Sequence, residues 1–313
     1  MRRPSTEVLV GLGGALVAVV LQMLVPTYFV DVLTKVLVFA IFAMGVNLLV
    51  GYAGLPSLGQ AAFLATAAYT MGVLVKRAGV NVVPAALLGL VAAGALGSLF
   101  GLLALRARGA SFLLMTMALT QAAWAVLIIW RPMTGGSDGF GGLSRPEIPL
   151  LPWSLSDGRV YFFLVLAVFV LVVWLFGRLV ESPFGLTLQG IRDNELRMRS
   201  LGYNTWLYQY AAFILAAAIA GLAGILYAFL AGAMVPDWAT VTPSAEGLLM
   251  AIMGGPGTVL GPLLGAAIIV PGAQIAALFT TRWQLVLGLV YILVILFAPE
   301  GIVGLVRRRR RSS

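Results

Sequence analysis

Residues 30–75 contain two apolar segments around a glycine- and proline-rich break: VDVLTKVLVFAIFAMGVNLLV, GYAGLPSLGQ and AAFLATAAYTMGVLV. The first segment is long enough to cross a bilayer, which takes about 20 apolar residues. Glycine and proline in the break, residues 51–60, loosen the backbone or remove helical hydrogen bonds. At membrane depth such backbone persists only where protein or a cavity covers it. The stretch therefore predicts a helix that is interrupted inside a membrane bundle.

The whole chain has the composition of a membrane protein. Of its 313 residues, 61% are hydrophobic and 10% are charged, whereas soluble domains average about 25% charged residues. We expect an all-α polytopic membrane helix bundle, a single transmembrane domain over residues 1–313, with roughly eight to ten spans and broken or re-entrant helices. Candidate spans are 8–25, which we expect to be uncleaved, 30–50, 60–75, 82–105, 110–130, 160–177, 209–231, 244–254, 261–279 and 284–298.

The positive charges indicate an orientation. With ten crossings and the N-terminus inside, thirteen Lys and Arg residues fall on the inner side and six on the outer side. Short loops rich in Lys and Arg stay cytoplasmic, so we expect both termini inside. The net charge of +9 follows this asymmetry and implies no nucleic-acid partner. The tail 306–313, with Arg307 to Arg311, is expected to anchor near anionic lipid. Lys76 and Arg77 run against the trend, which a re-entrant segment would explain.

The chain lacks the residues that most catalytic and energy-coupling sites need. It has no His and no Cys, so disulfides, thiolate chemistry and His-based sites are excluded. It has no G-x-x-x-x-G-K-[ST] motif for ATP phosphates, and its only lysines are Lys35 and Lys76. We therefore expect no enzyme activity, metal or cofactor, and we expect the energy for transport to come from a partner.

Few ionisable residues fall inside the predicted spans. Asp31 and Lys35 lie four residues apart on one helix face, and we predict an interfacial ion pair, with ion coupling as the alternative. We predict that Glu246 lies at a solvated helix start, with a substrate contact as the alternative.

Two loops are long. Residues 131–159 are predicted outside, and their glycines and prolines argue against a regular helix. Residues 178–208 are predicted inside and are highly charged. Here Ser182 and Pro183 are a good N-cap and first-turn pair, and Gly202 is a good helix stop. We predict a short amphipathic helix between them at the cytoplasmic face, either solvated or docked to a separate ATPase.

Several motifs, in order, resemble the branched-chain amino acid ABC transporter permeases, and specifically their LivM-type subunits. They cover about residues 35–305. They are GYAGLPSLGQAAF at 51–63, WRPMTGGSDG at 130–139, SPFG at 182–185, IRDNE at 191–195, SLG at 200–202, GLAGILY at 221–227, GGPGT at 254–258 and PEG at 299–301.

The resemblance implies a bacterial inner-membrane importer. Its partners would be a second, LivH-like permease subunit, two cytoplasmic ATPase subunits and a periplasmic substrate-binding protein. The residues implied to couple to the ATPase are Ile191, Arg192, Asp193, Asn194, Glu195, Leu201 and Gly202. The residues implied to face the substrate or the binding protein from outside are Thr134, Gly135, Gly136, Ser137 and Asp138.

The substrate path itself is expected to be mildly polar. Gln60, Thr66 and Thr70 lie at helical spacing and are candidates for it, with ordinary helix-packing contacts as the alternative. The implied cargo is a branched-chain or related amino acid. Urea, short amides or another small polar solute are alternative cargoes within the same family. A stand-alone secondary transporter or channel is the alternative from another class.

Overall fold

The computed structural model describes residues 27–143, 145, 157–279, 285, 288–290, 292 and 301–302. The helices are α1 (Thr27–Asn47), α2 (Gln60–Arg77), α3 (Val82–Ala104), α4 (Ala110–Ile129), α5 (Arg131–Thr134), α6 (Gly158–Glu181), α7 (Pro183–Asp193), α8 (Glu195–Ser200), α9 (Thr205–Ala231), α10 (Val241–Gly254) and α11 (Gly261–Phe279). A π-helical segment, Leu48–Ala53, extends α1, and 3-10 turns occupy Gly136–Asp138 and Pro236–Ala239. The only described strands are β1 (Phe140–Gly141) and β2 (Ala233–Met234), which are antiparallel with Phe140 opposite Met234.

The described part of the chain is a helix bundle with α1 at its centre. The most apolar window of α1 and its π extension is 94% buried, because α2, α6, α9, α10 and α11 pack around it. Six described helices, α1 with its extension, α3, α4, α6, α9 and α11, are long and apolar enough to cross a membrane. The all-α polytopic fold is confirmed. The predicted spans 8–25 and, apart from isolated residues, 284–298 lie outside the described residues, as does the tail.

The bundle has two ends, which we name by what they contain. The strand face contains residues 130–143 and 232–240, and the α7–α8 face contains residues 181–204. At the strand face, Lys76 donates a hydrogen bond to the Gly141 carbonyl and Arg77 donates one to the Pro132 carbonyl. These bonds place the C-terminal end of α2 beside the long loop, so the two cations need no re-entrant segment to explain them.

Two breaks in the helices pack against each other near the α7–α8 face. The first break follows the π segment, and the second lies between α10 and α11. Asn47, fully buried, joins them: its Nδ2 donates to the Thr258 carbonyl over 2.8 Å, and its Oδ1 accepts from the Gly257 N–H over 2.9 Å. Gly51 lies so close that a Cβ there would collide with the Gly257 nitrogen. The predicted broken helices are therefore present, and each break covers the other's backbone.

Replacing Asn47 by Ala should destabilise the fold. The change leaves the Gly257 N–H and the Thr258 carbonyl without their partner, and an unsatisfied buried polar group costs about 1–3 kcal/mol. We expect a clear fall in the thermal unfolding midpoint of the purified protein in detergent. Asn81→Ala is the matched control, since Asn81 is exposed and makes no capping bond. Equal midpoints for the two variants would contradict this role of Asn47.

Candidate docking and transport sites

The charged segment 182–202 forms two helices rather than the single helix that we predicted. Ser182 starts α7 as expected, with its Oγ accepting from the Gly185 N–H over 3.3 Å. α7 then ends at Asp193, because Asn194 is extended, with φ −161°, and caps α8 by accepting from the Arg197 N–H over 2.9 Å. Gly202 ends α8 with φ +87°, as predicted. Asn194 was grouped with the coupling residues in the sequence analysis, yet its local role is that of a helix break and cap.

Arg192, at the end of α7, contacts both breaks. Its guanidinium donates to the Gly51 carbonyl and, over 3.0 Å from both Nε and Nη2, to Asp193 Oδ1. A Cβ on Gly54 would lie 2.9 Å from its Cγ, and one on Gly257 would lie 3.1 Å from its Nη1. Arg192 therefore links the end of α7 to both interrupted helices.

Glu195 makes its contacts inside the subunit. Its Oε1 accepts from Arg199 Nη2 over 2.6 Å and from the Thr205 hydroxyl over 3.2 Å, and it lies 3.7 Å from Arg108 Nη2. These contacts tie α8 to the start of α9 and to the loop before α4. Ile191 also points inward, with 3% of its surface exposed. Within the subunit these two side chains therefore turn towards the bundle, and their part in coupling to the ATPase stays a prediction.

Three leucines are exposed on α7, on α8 and just after α8, among exposed charged residues. Leu186, Leu196 and Leu201 are 59%, 73% and 66% exposed. Charged residues such as Arg197 and Arg199 flank them in the sequence, and contact with a partner would remove the apolar surface of the leucines from water. We call this set the leucine surface. The coupling residues implied by the sequence include Leu201 but not Leu186 or Leu196, although the apolar character of both within a charged segment is visible in the sequence.

The predicted outer motif forms a compact turn at the strand face. Thr134 is buried, and its hydroxyl donates to the Leu127 carbonyl over 2.6 Å. Gly135 and Gly136 lead into the 3-10 turn. Ser137 and Asp138 are both exposed, and the serine hydroxyl donates to Asp138 Oδ1 over 3.3 Å. Of the five motif residues in this loop, Ser137 and Asp138 thus carry the polar side chains that are placed to meet a partner.

Two of the predicted path residues share a cavity with the outer motif. Thr66, Thr70 and Thr134 all line a cavity of about 420 Å³, together with Tyr69 and Trp130. Gln60 is separate from this group.

Gln60 is fully buried, and neither its Oε1 nor its Nε2 has a hydrogen-bond partner within the structure. It lies at the start of α2, directly after the first break. A buried amide without partners is costly, so this side chain remains a candidate for contact with a transported solute.

A second cavity, of about 330 Å³, was not predicted. Lys35 and Glu246 both line it. The expected ion pair between Asp31 and Lys35 does not form: Asp31 lies 3.5 Å from Arg145 instead, and the Lys35 ammonium lies near the rings of Phe39 and Tyr227. The solvated position expected for Glu246 is also wrong, because the side chain is half-buried at the cavity wall.

Comparisons with known proteins agree with this architecture. The family model described as "Branched-chain amino acid transport system / permease component" matches residues 28–297. The high-affinity branched-chain amino acid transport system permease protein LivM of Salmonella typhimurium is 30% identical over 302 residues, covering 89% of this chain and 70% of the relative. A probable branched-chain amino acid transport permease protein LivM of Methanocaldococcus jannaschii is 26% identical, covering 75% and 79%.

Another relative is named for a different cargo. The autoinducer 2 import system permease protein LsrC of Salmonella paratyphi B is 28% identical over 200 residues, covering 60% of this chain and 55% of the relative. No solved structure matches the chain significantly. The match over most of the sequence, on a polytopic bundle with two mutually packed breaks, leads to one conclusion: the chain belongs to the family of permease components of branched-chain amino acid transport systems.

Proposed function

We propose that the chain is the permease subunit of an ABC importer for branched-chain or related amino acids in a bacterial inner membrane. In this arrangement the α7–α8 face lies in the cytoplasm with both termini, and the strand face lies outside. The observation that carries the proposal is the leucine surface on a helix pair whose Arg192 bonds to the broken helices. The chain has no P-loop, and this surface is where an external motor would act.

The motor in this proposal is a pair of cytoplasmic ATPase subunits. Their closure would push on α7 and α8, and Arg192 would carry the displacement to the breaks around Gly51 and Gly257. Packed elements of this kind move as rigid bodies between discrete arrangements. The result is alternating access, in which the bundle opens to one face and then to the other.

A second permease subunit, LivH-like in this proposal, would cover an exposed part of α4. This helix is poorly buried, and Gln121, about halfway along it, is exposed. A polar amide facing lipid at that depth is unfavourable. By contrast, the most exposed positions of α3 are apolar, Val91 at 67% and Leu87 at 59%, as expected for contact with lipid.

A periplasmic substrate-binding protein would deliver the solute to the strand face, near Asp138 and the cavity lined by Thr66 and Thr70. We infer the cargo from the relatives that are named for branched-chain amino acid transport. Urea, short amides and other small polar solutes are the alternative cargoes, and the relative named for autoinducer 2 import illustrates such diversity. Ligand binding by the associated binding protein, measured by calorimetry, discriminates among them.

Leu196→Asp should release the ATPase subunits. A carboxylate placed in an apolar contact loses its hydration without gaining a partner, and we expect at least about a tenfold loss of affinity, equivalent to 1.4 kcal/mol. The measurement is the amount of ATPase that co-purifies with the tagged permease. Ala110→Asp, an exposed position at the start of α4, is the control and should retain the ATPase. Full retention with Leu196→Asp would refute the docking assignment.

Gln121→Cys should place a thiol at the interface with the second permease. The chain has no cysteine, so a thiol-reactive photo-crosslinker reacts only at the introduced site of this subunit. We expect an adduct with the mass of the two permease subunits from Gln121→Cys, and none from the lipid-facing control Val91→Cys. Identical patterns from the two variants would count against this face of α4 as the interface, and the adduct mass distinguishes a homodimer from a heterodimer.

A further inference from the structure

The 330 Å³ cavity is distinct from the leucine surface, and two ionisable side chains of the described bundle, Lys35 and Glu246, line it. It lies where α1, α2, α9, α10 and α11 meet, and Trp238 of the strand face closes one side. Lys35 is the ninth residue of α1, about 12 Å along the helix at 1.5 Å per residue. The volume of the cavity, about 330 Å³, falls at the lower end of the range of small-molecule sites, about 300–1,000 Å³.

Lys35 and Glu246 supply opposite charges on two walls of this cavity. They do not form one of the salt bridges of the described residues, which join atoms within 4.0 Å. The neighbouring carboxylate on α1, Asp31, interacts with Arg145. Charged side chains inside membrane helices are expensive and are characteristically found at substrate or ion sites. Two groups of opposite charge that line one cavity without a direct salt bridge match a ligand that itself carries both signs.

The remaining walls are aliphatic and aromatic. Leu64, Met250 and Ile269 supply apolar surface, and the rings of Phe39 and Tyr227 lie 5.8 and 5.9 Å from the Lys35 ammonium. Such walls favour a ligand with an apolar side chain. A neutral polar solute such as urea would form no ion pair with either group and would gain little from these walls.

We propose that this cavity binds the zwitterion of an aliphatic α-amino acid during its passage. Lys35 faces the carboxylate of the ligand, Glu246 faces its ammonium group, and Leu64, Met250 and Ile269 contact its side chain. This site rests on the proposed amino-acid cargo, and it adds selectivity within the permease to whatever selection the binding protein makes.

The test measures binding of radiolabelled leucine to the assembled importer in nanodiscs, without its binding protein. The competitors are 4-methylpentanoate, which lacks the ammonium group, and 3-methylbutylamine, which lacks the carboxylate. We expect Lys35→Gln and Glu246→Gln each to weaken leucine binding by about tenfold or more, the loss of one charge-assisted contact. Glu246→Gln should also abolish the preference for leucine over 4-methylpentanoate, and Lys35→Gln the preference over 3-methylbutylamine.

Two controls make the same charge changes outside the cavity. Arg159→Gln and Asp237→Asn alter exposed residues near the strand face and should bind leucine as the wild type does. Lys35→Arg should preserve the preference over 3-methylbutylamine. Unchanged affinity for leucine in both Lys35→Gln and Glu246→Gln would overturn the site. Weaker leucine binding with unchanged preferences over the two competitors would also overturn it, because the two side chains would then have only a structural role. A wild-type importer that transports another solute and no leucine would instead overturn the proposed cargo, and the site with it.

Discussion

The structure depends on one constraint: inside a bilayer, a break in a helix must find its hydrogen-bond partners within the protein. Two breaks meet this constraint by packing on each other. The Asn47 amide supplies a donor and an acceptor to the second break, and Gly51 allows the two backbones to approach. Because α1 with its π extension is the most buried of the six described candidate spans, this junction lies at the centre of the elements around it. The two helix breaks inside the bundle therefore lie at one place and satisfy each other's backbone groups.

The same junction links the fold to the proposed function. Arg192 reaches it from the end of α7, and Glu195 fixes α8 to α9 and to the loop before α4. The charged residues of this segment thus hold the helix pair to the bundle, while its leucines remain available to a partner. A motor that binds the leucines would move a unit already bonded to the interrupted helices, which is the mechanical requirement for a permease that has no nucleotide site of its own.

The sequence predicted those features that depend on neighbouring residues alone, namely the spans, the helix ends and the helix breaks. Apolar length located most of the described spans, Ser182 and Gly202 marked the limits of the charged segment, and glycine and proline located both breaks. The sequence could not show which residues meet across helices. Lys35 and Glu246 are more than 200 positions apart and share a cavity only through tertiary packing, while Lys35 and Asp31 have the right spacing for a pair and have other neighbours. The single helix expected between Ser182 and Gly202 was wrong for a different reason, since a capping residue such as Asn194 inside a charged run resembles a solvated helical one.

The central claim is that this chain conducts a solute only as part of an ATP-driven assembly. The most direct test is uptake of radiolabelled leucine into proteoliposomes that contain either this chain alone or the complex with its co-purified permease, ATPase and binding-protein partners. We predict uptake by the complete assembly with ATP, and none without ATP or by the chain alone. Uptake by the chain alone, without ATP, would contradict the account and identify a stand-alone transporter or channel.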